Sequence, residues 1–87
     1  MIVDFHRTFN KQYKKIPQLI RDKFEERLHL FYIEQNHPLL NNHPLKGDRK
    51  GEWSINITGD WRAIYRYKDY SKVIFIDLDT HANLYKK

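Results

Sequence analysis

The sequence contains no cysteine, so disulfides, a thiolate nucleophile and thiolate metal ligands are all excluded. That absence suits a reducing cytoplasm, and a cytoplasmic protein is expected. No run of apolar residues approaches the roughly 20 that a membrane-spanning helix needs. The first residues, MIVDFHRTFNKQ, are charged by the fourth position and too polar for a signal peptide, so no association with a membrane is expected. Glycine and proline are scarce, at three each, while 40% of the chain is apolar and 15% aromatic, which excludes a disordered or low-complexity polymer. Eighty-seven residues then make one domain, 1–87, with a single hydrophobic layer fed largely by aromatic rings.

Sixteen Lys and Arg against eleven Asp and Glu leave a net charge of +5. This favours a polyanionic partner such as RNA, DNA, an acidic protein or a membrane surface. A charge of that size is also ordinary for the surface of a small domain, so it decides nothing alone. The five histidines, His6, His29, His37, His43 and His81, lack the close spacing of a zinc site, and neither metal nor cofactor is expected.

Residues 2–6 alternate apolar and polar as a short strand does. Thr8 is placed to cap a helix running through Ile16, and Pro17 suits the first turn of a second, in which Ile20, Phe24 and Leu28, continued by Phe31 and Tyr32, form an apolar stripe to about Glu34. From residue 36 to 51 the periodicity stops, and NHPLLNNHPLKGDRKG reads as a long connection of the kind that is functional or disordered. Residues 52–57, 61–67 and 72–78 then read as three strands with short turns. The order β-α-α-β-β-β predicts an α+β fold, in which an antiparallel meander packs on a two-helix hairpin and leaves its other face partly open.

Burial fixes the register of the first hairpin. A two-residue turn would pair Ile57 with Arg62 and mix charge into the apolar face. A three-residue loop at Thr58, Gly59 and Asp60 instead pairs Ile57 with Trp61, Ile55 with Ala63 and Trp53 with Tyr65. Ser54, Asn56, Arg62, Ile64 and Arg66 then share the opposite face. The last strand is apolar on both sides and belongs inside the sheet.

RNA cleavage requires a group to take the 2′-hydroxyl proton, a proton donor for the leaving 5′-oxygen, and cations for the charge that develops on phosphorus. Imidazole titrates near neutral pH, which makes His43 in the loop and His81 after the last strand the candidate proton carriers. Arg62 and Arg66 stand four apart on one strand and point to one face, while Lys46, Arg49 and Lys50 rim the preceding loop. Such a cluster can neutralise several phosphates.

The stretch NHPLKGDRKGEWSINITGDWRAIYRY, followed by VIFIDLDTHANLY, resembles the C-terminal core of the RelE and YafQ toxins of bacterial toxin–antitoxin pairs. Three motifs carry the resemblance in order: His-Pro-Leu-x-Gly, Gly-Asp-Trp-Arg-x-Ile-Tyr and Thr-His-x-x-Leu-Tyr. It implies an endoribonuclease that enters the ribosomal A site, cuts the mRNA there, and is neutralised by an antitoxin encoded beside it. It also implies catalytic roles for His43, Asp60, Arg62, His81 and Tyr85, while Lys46, Arg49, Lys50 and Arg66, by their charge, and Asn56, by its amide, are expected to bind RNA. Asn56 departs from the YafQ-like pattern, which has a catalytic histidine there, and Trp53 replaces a common cation. An amide exchanges no proton at neutral pH, so Asn56 is expected to lower catalytic strength more than RNA binding. The alternatives are an inactive relative that acts by binding and a poison of DNA gyrase like the ParE toxins, which share the fold. Retention of His43, Asp60, His81 and Tyr85 together argues against the latter.

Overall fold

In the computed structural model, which describes residues 1–85, the alternating N-terminal residues form strand β1 (Ile2–Phe5). Helix α1 (Arg7–Lys15) follows at once, and its cap is His6 rather than Thr8. The His6 N–H donates to the Phe75 carbonyl at 2.8 Å, which turns the chain two residues earlier than the sequence suggested. The His6 Nδ1 then accepts from the Thr8 N–H at 3.1 Å. Helix α2 (Gln18–Ile33) starts behind Pro17, whose carbonyl accepts from the amides of Ile20 and Arg21. Ile20, Phe24 and Phe31 are buried as the stripe predicts, but Tyr32 is 52% exposed. Adjacent helical residues diverge by roughly 100°, so the core takes Phe31 and releases its neighbour.

The meander forms as β3 (Glu52–Asn56), β4 (Trp61–Asp69) and β5 (Lys72–Thr80). Two further strands complete a five-stranded sheet of order β1-β5-β4-β3-β2. β1 pairs in parallel with β5, from Ile2 with Lys72 to Phe5 with Phe75, so the sheet is mixed rather than a pure meander. A strand apolar on both faces needs a neighbour on each edge, and β1 supplies the second. The expected hairpin register is present: Trp53 faces Tyr65, Ile55 faces Ala63, Asn56 faces Arg62, and the Ile57 N–H donates to the Trp61 carbonyl at 2.9 Å.

The connection from residue 36 to 51 is ordered, contrary to its lack of periodicity. It contains 3-10 turns at Pro38–Leu40 and Gly47–Arg49, with strand β2 (His43–Pro44) between them. Leu40 is fully buried and anchors the first turn, which His37 caps by accepting from the Leu39 N–H at 3.1 Å. A short helix α3 (His81–Leu84) begins where β5 ends. The core between helices and sheet is aromatic, with Phe24 edge-on to Phe75 at 5.7 Å and 89° and with Phe9 against both. Among the described residues no helix is long and apolar enough to cross a membrane.

Candidate functional site

One extra residue in β5 determines what the open face of the sheet presents. Tyr65 pairs with Phe75, but Ile64 pairs with Asp77, leaving Ile76 as a bulge. Unbroken alternation would have turned Asp77 and Asp79 toward the helices. The bulge instead sends Leu78 into the core, 1% exposed, and places Asp77 beside Ile64 and Asp79 beside Arg62.

The end of β5 is set by the hairpin turn. The carbonyl of Asp60 accepts the His81 N–H at 2.7 Å and the Thr80 hydroxyl caps the Asn83 N–H at 3.2 Å, so α3 starts at His81. Four residues on, the ring of Tyr85 lies 4.8 Å from the imidazole of His81 at 54°. On the other side, β2 pairs His43 with Ser54. The His43 Nδ1 lies 2.7 Å from the Asn41 carbonyl, where Asn41 adopts φ 45°. A carbonyl only accepts, so Nδ1 carries a proton, and in the neutral ring Nε2 is left as the acceptor.

These two sides enclose a cleft of about 460 Å³ lined by His43, Lys46, Arg62, His81 and Tyr85, with Asn41, Pro44 and Leu45 completing the wall. Arg62 projects from β4, its Nη1 donating to the carbonyls of Thr58 at 3.0 Å and Trp61 at 3.1 Å. It forms no ion pair among the described residues, so its positive charge is not spent on a carboxylate.

The other predicted site residues stand outside this cleft. Asp60 is exposed in the hairpin turn and reaches the site through its carbonyl. Asn56 lies beside Arg62 across the β3–β4 pair, its Oδ1 buried without a hydrogen-bond partner among the described residues. Arg66 is exposed between Glu52 and Ile74, and Lys50 is exposed at the end of the second 3-10 turn.

Arg49 is engaged within the fold. Its Nη1 donates to Glu52 at 2.7 Å and its Nη2 to Asp77 at 2.8 Å. Burial disfavours its charge, but the two carboxylates outweigh that and hold its pKa above the ordinary guanidinium value. A bridge from β3 to β5 has to cross β4, which accounts for the complete burial of Ser54 and Ile64 on a face that the sequence left open. Asp77 also accepts from the Nε2 of Gln12 on α1, whose Oε1 accepts the Leu78 N–H at 2.9 Å. Sequence reasoning passed over Asp77, Asp79 and Gln12, because the bulge that brings the two aspartates round has no signature in IFIDLDT. No group of three or more His, Asp or Glu positioned for a metal ion occurs among the described residues.

A mixed sheet of this order backed by a helical hairpin is the architecture of the RelE-like toxins. It superposes on the YoeB/ParE toxin from Agrobacterium tumefaciens with a TM-score of 0.75 at 22% identity, covering 93% of this chain and 99% of that one. YafQ in the E. coli DinJ–YafQ complex aligns with a TM-score of 0.67 at 24% identity over 95% of this chain and 96% of that one. The profile described as "Bacterial toxin of type II toxin-antitoxin system, YafQ" matches residues 1–86, so the chain belongs to the YafQ toxin family. Endoribonuclease HigB of Proteus vulgaris is 44% identical over 34 residues, which are 39% of this chain and 37% of HigB.

Proposed function

We propose that this toxin is a metal-independent endoribonuclease that cuts mRNA in the ribosomal A site in the cytoplasm and is silenced by a cognate antitoxin. One observation carries the reading: two imidazoles and an arginine free of carboxylate partners converge in a single cleft. Membership of a toxin family and the HigB segment support the same chemistry. His43, with Nε2 left to accept, takes the proton of the 2′-hydroxyl. The 2′-oxygen attacks phosphorus, and the bond to the 5′-oxygen breaks as His81 protonates the leaving group. A 2′,3′-cyclic phosphate and a 5′-hydroxyl result. Arg62 and Lys46 stabilise the added negative charge on the phosphoryl oxygens, and Tyr85 holds the His81 ring. Asn56, beside Arg62, is suited to a hydrogen bond with RNA and to no proton transfer.

A shallow cleft orients a flexible strand poorly, so the ribosome is assigned the task of presenting the codon. Purified protein should cut mRNA on translating ribosomes with EDTA-treated enzyme, leave cyclic-phosphate ends, and hardly touch naked transcript. Equal cleavage of free and ribosome-bound RNA would remove the ribosome from the proposal. Gyrase inhibition without RNA cleavage would remove the nuclease.

A further inference from the structure

The cleft has two walls built from different parts of the chain. One is the loop that carries His43 and Lys46; the other is the end of the sheet with Arg62, His81 and Tyr85. The loop is attached to β3 by the two residue pairs of β2 and by the Leu45 N–H donating to the Glu52 carbonyl at 2.8 Å. Beyond Lys46 it leaves the sheet for the 3-10 turn Gly47–Arg49. There a second cleft of about 430 Å³ separates the turn from Leu84 and Tyr85 of the other wall. The charged groups of the Arg49 bridge cross from one wall to the other. Glu52 belongs to the loop's own side, whereas Asp77 lies 28 residues along the chain from Arg49, on the strand that leads into His81.

We propose that the Arg49–Asp77 ion pair is a latch that sets the separation of His43 and Lys46 from Arg62 and His81, which makes Arg49 and Asp77 positioning residues for cleavage rather than RNA ligands. This rests on the nuclease reading above. Three features fit it. The two terminal nitrogens of the guanidinium each face a different carboxylate, at 2.7 and 2.8 Å, and the planar group fixes direction as well as distance. Asp77 is itself held from behind, since Gln12 donates to Oδ1 while Arg49 takes Oδ2, so the anchor belongs to the helical layer as well as to β5. The bulge at Ile76 turns Asp77 to this face, so the same irregularity that places Asp79 beside Arg62 also provides the latch. Proton transfer from a 2′-hydroxyl and to a 5′-oxygen on opposite sides of one phosphorus demands a fixed spacing of the two imidazoles. A displacement of about 1 Å is enough to cost on the order of 100-fold in rate.

Two variants separate a latch from a phosphate contact. Asp77→Asn preserves shape and an acceptor for Gln12 while removing the charge that Arg49 needs; Arg49→Met removes the other partner. Each is expected to lower kcat on ribosome-bound mRNA by about 10- to 100-fold with little change in KM. The double variant should be no worse than either single one, and Arg49→Lys should recover part of the loss. The salt dependence of RNA binding should stay at the wild-type slope in Arg49→Met. An arginine that held RNA would instead take about one phosphate's worth off that slope, and Asp77→Asn would tighten RNA binding by releasing it. Hydrogen exchange supplies a readout independent of activity. Amides of residues 46–50 should lose protection in both variants, while those of β3, β4 and β5 keep theirs. Wild-type kcat in Asp77→Asn, a lowered salt slope in Arg49→Met, or unchanged loop exchange in both would overturn the latch. Should the wild-type protein cut no RNA at all, the nuclease reading fails separately, and loop exchange alone decides whether the latch exists.

Discussion

Two arginines that look alike in the sequence behave as opposites in the fold. Arg49 is clasped by Glu52 and Asp77, whereas Arg62 bonds to main-chain carbonyls and forms no ion pair among the described residues. Because Arg62 and His81 share the cleft while Asn56 lies beside it, their replacements should rank clearly. Losing a positioned proton carrier costs about 10²- to 10⁴-fold in rate, and losing a charged donor at the reacting phosphate a comparable factor, against roughly 0.5–1.5 kcal/mol for one neutral hydrogen bond. His81→Ala and Arg62→Ala should abolish growth arrest on induction with an unchanged circular dichroism spectrum, while Asn56→Ala only weakens it. An Asn56→Ala defect as deep as that of His81→Ala would undo these roles. Tyr65 offers a separate test of the fold. Burial raises its pKa to about 12, even though the Gln35 amide donates to the phenol oxygen and acts in the other direction. The folded state therefore favours the neutral phenol over an unfolded value of about 10, so this stability is complete below pH 10 and is lost as pH rises through about 12. In urea unfolding, the stability difference between wild type and Tyr65→Phe should be flat below pH 10 and change steadily in favour of the phenylalanine above it. A difference that stays constant to pH 12 would show that the phenol is not kept neutral by the fold.

At the scale of elements, what repeats in the sequence was legible and what depends on a single insertion was not. The i, i+4 recurrence of Ile20 and Phe24 located α2, and two-residue alternation located β3 and β4 together with their register, because both are imposed by burial along one face. The placement of β5 inside the sheet followed from its apolar residues on both sides, but the strand that covers its other edge did not, since parallel pairing between residues 2–5 and 72–75 leaves no local mark. The capping of α1 by His6 was missed because histidine is not among the usual caps. In the site, His43, Lys46, Arg62, His81 and Tyr85 were named from residue chemistry and resemblance, and the fold brings these five into one cleft. Arg49 was named with them because spacing cannot show that a bulge 27 residues further on delivers a carboxylate to it.

The molecule as a whole divides its labour between two faces of one sheet. Helices α1 and α2 cover the aromatic core on one side, while the cleft, the loop with Lys46 and Lys50, and the exposed Arg66 occupy the other. A net charge of +5 is thus joined to a cleft lined by Lys46 and Arg62, which under the proposed function suits both mRNA and an acidic inhibitor. The antitoxin is accordingly expected to place an acidic segment over Arg62, Arg66 and residues 46–50, or to displace the segment from α3 onward, where Tyr85 forms part of the cleft wall. Opposite charges across an interface act chiefly on the rate of encounter, and that action is screened within roughly 10 Å at 0.1 M salt. Association of toxin and antitoxin should therefore slow steeply as salt is raised, with dissociation far less affected. Charge reversal at Lys46 and Lys50 should slow association further while leaving the core's unfolding midpoint in place. Protection of His43, Arg62 and His81 from solvent in the complex should accompany this, measured as slowed exchange. An antitoxin that binds at a salt-independent rate, or one that leaves these residues open and still silences the toxin, would show that inhibition acts through another surface.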